Sequence, residues 1–148
     1  MREILFRGKR CDTGEWVQGY YIRADHHWHK HGIHKDWITL GASANGGWFA
    51  LHNKYAVRAE TVGQFTGLTD KNGKKIFEGD IIKIPDDYDE YGHNAGEIYE
   101  IYFCFGGFRL KPKYSKARGY WLEDDETVEV IGNIHDNPEL VEVAEDGK

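Results

Sequence analysis

Five histidines fall within ten residues in Asp25-His26-His27-Trp28-His29-Lys30-His31-Gly32-Ile33-His34, and Asp36 follows two positions later. Neutral imidazole is the commonest side-chain ligand for zinc, copper and nickel. His27, His29 and His31 alternate, so a strand would project them from one face. A helix would set His27 and His31 one turn apart. Either geometry suits a metal ion. Zinc sites, however, usually combine ligands from separate segments and brace them with outer partners. No HExxH or CxxC pattern accompanies the run. An exposed polar loop therefore carries more weight than a metal centre or a pH-responsive surface, and no metal or other cofactor is expected.

A second constellation is RLKPKYSKAR, Arg109–Arg118, with Arg109, Lys111, Lys113, Lys116 and Arg118 as its cations. Tyr114, Tyr120 and Trp121 interleave with them. Cations for phosphates and rings for bases are what a single-stranded nucleic-acid groove uses. The competing readings are a charged hairpin loop that keeps a sheet edge soluble and a dock for an acidic protein surface. Nucleic acid is thus an alternative, not the favoured partner. The acidic stretches carry less. Asp86, Asp87, Asp89 and Glu90 lack the glycine and glutamate of an EF-hand loop. Glu123–Glu126 has no partner residue with which to do acid–base chemistry. No phosphate-cradling glycine loop, dinucleotide fingerprint or Ser/His/Asp arrangement occurs. No catalytic residue is assigned, and a non-enzymatic role is expected.

The 148 residues suit one domain or two small β modules. An aromatic content of 14% marks a chain that folds. The net charge of −6 hides an asymmetry. Residues 1–75 hold 12 Lys and Arg against 7 Asp and Glu, a net of +5. Residues 76–148 hold 7 against 18, a net of −11. Such a chain is not a purely electrostatic nucleic-acid binder. No apolar run has the length of a secretory signal or a membrane span. The expectation is a soluble protein of the cytoplasm. Cys104, in an apolar strand, reads as a buried thiol, and a disulfide with Cys11 would be unusual in a reducing compartment.

The elements that must position these residues are short strands. Glu3–Gly8 and Trp16–Arg23 predict an N-terminal hairpin with Trp16, Tyr20 and Ile22 on one face. Gly19 marks a bulge or a close backbone approach. Trp37–Leu40 and Trp48–Leu51 predict two more strands around an Ala42–Gly47 loop. Asp70-Lys71-Asn72-Gly73 is a tight-turn signal, since Asn and Gly tolerate positive φ and Asp suits the first position. Gly79-Asp80 bends the chain into the strand Ile81–Ile84. Gly96–Lys111 is the longest β candidate. Its Tyr99, Ile101, Phe103 and Phe105 alternate as a core face, and Gly106-Gly107 turns it. Val128–Ile134 is the last strand, and Asn137-Pro138 permits one helical turn after it.

Three stretches resemble one family. QFTGLTDKNGKKIFEGDIIKI, Gln64–Ile84, is similar to the central signature of the YopX-like proteins of phages and prophages. Met1–Arg7 is similar to the family's opening strand, and Val128–Leu140 to its closing segment. The resemblance implies a mainly β protein with an SH3-like β-barrel in its C-terminal half, residues 63–148; the strand reading adds an N-terminal β-hairpin or small sheet region, residues 1–62, and at most one short C-terminal helical turn. It implies Gly63–Leu68 as the joint between the two, and a bacterial host's cytoplasm as the setting. It implies no activity. The leading reading is a non-enzymatic binding or self-associating β module. Its partner would be a second copy or a host protein, and no membrane is expected.

Overall fold

The computed structural model describes residues 1–24, 35–45, 48–86, 96–112, 120–121 and 127–142. The chain is mainly β and divides into two compact units, Met1–Phe65 and Thr66–Lys148.

In the first unit, β1 (Phe6–Lys9), β2 (Trp16–Arg23), β3 (Asp36–Asn45), β4 (Trp48–Ala56) and the start of β5 (Gly63–Thr69) form an antiparallel sheet. The strand order is β4-β3-β2-β1-β5. Two expectations are corrected here. The first strand begins at Phe6, not Glu3. The Gly/Ser/Asn-rich stretch after Leu40 is not a loop: β3 runs on to Asn45 and pairs with β4 from Trp37↔Ala56 to Asn45↔Trp48. β2 reaches β3 only between Asp36 and Thr39, so the outer part of this hairpin is a two-stranded ribbon. Pairing with a neighbour outweighs the weak strand propensity of small residues.

The register divides this sheet into two faces. One carries Phe6, Tyr21, Ile38 and Val57. Phe6 and Tyr21 rings lie 5.6 Å apart, and Ile38 and Val57 are buried. The Tyr21 hydroxyl donates to Asp36. Gly19 belongs to this side because a Cβ there would come within 2.3 Å of the Thr39 carbonyl oxygen; the glycine is a close backbone approach. The other face carries Lys9, Trp16, Gln18, Tyr20, Trp37 and Lys54, since Lys9↔Trp16, Tyr20↔Thr39, Ile22↔Trp37 and Thr39↔Lys54 are cross-strand partners. A 3-10 turn, Ala59–Thr61, follows β4, and the Lys9 N–H donates to the Thr61 hydroxyl at 2.8 Å.

In the second unit, β5 continues to Thr69 and neighbours β6 (Lys75–Phe77). The turn between them is the expected one. Gly73 has φ 77° and its N–H donates to the Asp70 carbonyl at 2.9 Å. Then β7 (Asp80–Lys83), β8 (Ile98–Cys104), β9 (Gly107–Pro112), β10 (Tyr120–Trp121) and β11 (Glu129–Asn133) form a second antiparallel sheet of order β10-β9-β8-β7-β11. Gly79, at φ 86°, supplies the bend into β7. The core is Ile76, Ile82, Ile84, Tyr99, Ile101, Leu110 and Val128, with Leu68 and Val130 packed against it. Leu68 of β5 and Ile76 of β6 thus pack against the second sheet, whose ladders run from β10 to β11 without joining the β5–β6 pair among the described residues. A single 3-10 turn, Pro138–Leu140, follows β11, where Asn137-Pro138 permitted it.

Asp70 ties this unit together. Its Oδ1 accepts from the N–H groups of Asn72 and Lys74, both at 2.9 Å, and its Oδ2 from Val130 at 3.1 Å. Burial by itself would raise this carboxyl. The three backbone donors outweigh it and hold the group below its ordinary value.

Candidate functional site

β8 and β9 reverse direction at Phe105-Gly106, where the glycine pair called for a turn. Along β8 the alternation places Tyr99, Ile101 and Phe103 on one face, opposite Pro112, Leu110 and Phe108 of β9. Tyr99, Ile101 and Leu110 are buried. Phe103 and Phe105 are not core residues, contrary to the expectation: they are 51% and 71% exposed. The strand pair outruns the core it covers, so its apolar face continues past the last buried layer into solvent. Phe103 and Phe108 meet edge to face with centroids 5.2 Å apart, the geometry that aromatic quadrupoles favour. Phe105 sits at φ 49°. A bulky side chain rarely adopts that region, and holding it there costs roughly 1–3 kcal/mol. The Arg109 guanidinium carbon lies 5.7 Å from the Phe105 ring centroid.

This hairpin end takes in the first part of the basic and aromatic segment. Arg109 sits against Phe105, and the Lys111 Nζ pairs with Glu100 at 3.5 Å. Arg109 is also the Cα partner of Trp121 in the β9–β10 ladder. Lys113, Tyr114, Lys116 and Arg118 lie outside the described residues, as do the histidine run with His27, His29 and His31 and the acidic stretches Asp87–Asn94 and Glu123–Glu126. Among the described residues, no three His, Cys, Asp or Glu side chains are grouped to hold a metal ion. Cys104 is partly exposed, not buried, because it stands where β8 leaves the core. Cys11 is also partly exposed; what burial it has pushes its thiol up, against the pull of Arg58.

Two open cavities accompany these features. One, of about 270 Å³ in the second unit, is lined by Lys71, Lys83, Ile84, Pro85, Asp86 and Glu129. Its cations are matched by its own carboxylates: Lys71 with Glu129 at 2.7 Å, and Lys83 with Asp86 at 3.1 Å. The other, of about 310 Å³ in the first unit, is lined by Cys11, Asp12, Trp37, Lys54, Tyr55 and Ala56. Arg10 lies over Tyr55 at 4.4 Å and grips the Asp12 carboxylate at 2.9 and 2.7 Å. Hydrogen bonding to Arg10 holds Asp12 below the usual carboxylate range. The missed signal at the hairpin end was the position of Gly106-Gly107: a turn there leaves Phe103 and Phe105 at the tip, with no strand beyond to cover them.

These features describe a two-unit β protein whose clearest surface device is an exposed aromatic hairpin end. A model of the YopX protein family matches residues 5–142, and the chain belongs to that family. The crystal structure of protein EF1440 from Enterococcus faecalis matches 96% of this chain and 100% of its own, at 24% identity and a TM-score of 0.59, a likeness of fold. No curated protein sequence matches the chain. No helix among the described residues is long and apolar enough to cross a membrane.

Proposed function

We propose that the protein is a non-enzymatic β module that works by binding, and that it self-associates through the β8–β9 hairpin end. The observation that carries this reading is the apolar face that leaves the core as Phe103 and Phe108, with the exposed Phe105, held in a strained backbone, at the turn beside it. Exposed aromatics on a rigid scaffold are the usual anchors of protein interfaces. The occupant we assign is a second copy, because the halves of the sequence carry opposite net charge, +5 and −11, and so complement one another between copies. The family likeness supports a phage or prophage setting in the cytoplasm of a bacterial host.

Native mass spectrometry of the untagged full chain tests it. A mass above 17.1 kDa at micromolar concentration is expected. Phe103→Ser with Phe105→Gly is expected to weaken association about 10- to 30-fold, the scale of an interface anchor. A wild-type protein that stays at 17.1 kDa overturns self-association and turns attention to a host protein.

A further inference from the structure

The outward face of the first sheet has a composition that the chain as a whole does not. Its strand residues include Trp16, Tyr20 and Trp37, interleaved with Lys9 and Lys54; Arg7, on the same face, is buried. Arg7 lies over the Trp16 ring at 4.6 Å, Lys9 over the same ring at 5.6 Å, and Lys54 over Trp37 at 5.8 Å. Tyr20 is 56% exposed, and Gln18, His52 and Lys54 are exposed beside it. Among the described strand residues of this face there is no carboxylate. Asp36 lies on the opposite face, hydrogen-bonded to Tyr21. In a chain of net charge −6, a sheet face whose charged strand residues are all cations is a local reversal of sign.

We infer that this face binds a single-stranded polynucleotide. Rings set across adjacent strands provide stacking surfaces that any base can use. Lys9 and Lys54 meet the phosphates, and the absence of face carboxylates removes the like-charge repulsion that would otherwise keep a polyanion away. Tyr20 is the most open of the rings, and Trp37 lies diagonally from it across the β2–β3 ladder. Beyond Trp37 the face meets the cavity of about 310 Å³ whose lining includes Trp37 and Lys54. The carboxylate at that recess, Asp12, is already engaged by Arg10. This surface belongs to the first unit and uses none of Arg109, Lys111 and Trp121, which belong to the second.

The test titrates the full-length protein at low salt with a short thymidine deoxyoligonucleotide and with the matching uridine oligomer, following tryptophan fluorescence. Quenching with saturable binding is expected for at least one of them. Tyr20→Ala is expected to weaken binding about tenfold, in line with the loss of one stacked base, whereas Tyr20→Phe retains it. Lys9→Ala with Lys54→Ala is expected to flatten the plot of log affinity against log salt by about 1.4, since each phosphate contact to a single strand contributes about 0.7. Absence of binding at low salt overturns the inference. So does binding that Tyr20→Ala and the lysine pair leave intact while Lys111→Ala, Lys113→Ala and Lys116→Ala together abolish it. A duplex bound as tightly as the single strand also overturns it, because a duplex offers no free base to stack. Phe105→Gly leaves oligonucleotide binding unchanged, which separates this site from the self-association surface.

Discussion

Asp70 accepts three backbone hydrogen bonds, two within its own turn and one from β11. Replacing it by Asn keeps the shape but puts a neutral amide in place of the carboxylate. The expected loss is about 2 kcal/mol, the scale of hydrogen bonds to a charged group, read by urea denaturation. The carboxyl is depressed in the folded protein, so its stabilisation is complete above the unfolded value of about 3.9 and is lost as pH falls through the folded value. Acid titration of stability below about pH 4 should therefore be shallower in Asp70→Asn than in the wild type. Phe105 is the opposite case. Its φ of 49° is one glycine adopts freely. Phe105→Gly is expected to leave thermal stability equal or about 1 kcal/mol higher, while self-association falls. A clear drop in melting temperature would make Phe105 a fold residue instead.

At the scale of elements, the residue types that restrict the backbone were the most legible. Trp16–Arg23 has the expected bounds. So do the Asp70–Gly73 turn and the Gly79 bend, each fixed by a residue that tolerates positive φ; the reversal expected at Gly106-Gly107 falls one residue earlier, at Phe105-Gly106. What the sequence did not display was how far each face stays covered. Tyr99, Ile101, Phe103 and Phe105 share one alternation, and only the first two reach the core; periodicity gives direction, not depth. The Ala42–Asn45 stretch likewise looks like a loop in isolation and becomes a strand through the partner beside it. Of the candidate surfaces, Arg109 and Trp121 could be read as near each other, and Trp16 and Tyr20 as sharing a face of the first hairpin; that Trp37 and Lys54 join that face could not, because it depends on the β2–β3 and β3–β4 registers. Two predictions belong here. Ile101→Ala, at a fully buried position, should cost about 2–5 kcal/mol, measured by chemical denaturation. The outer β3–β4 ribbon, which β2 does not reach, should exchange its amides faster than β8, since a two-stranded ribbon is only marginally stable. Equal protection would show that a further element covers it.

For the molecule as a whole, the opposed charge of the two halves would make the proposed association sensitive to ions. Raising salt screens charges farther apart than about 10 Å at 0.1 M. The mass distribution should shift toward 17.1 kDa as salt increases. Association that strengthens with salt would leave the aromatic hairpin end as its source and remove the charge argument.

The bond from the Val130 N–H to Asp70 spans 60 residues of sequence. Val128, also from the end of that span, belongs to the core. A chain emerging from a ribosome can make the Asp70–Gly73 turn at once, but its second unit must wait for β11. During that interval one edge of β7 is unpaired and the core lacks Val128 and Val130, and non-local pairing of this kind is slow. Nascent chains stalled before Val128 should therefore be cleaved readily by protease within residues 66–112, and chains stalled well beyond Asn133 should resist it.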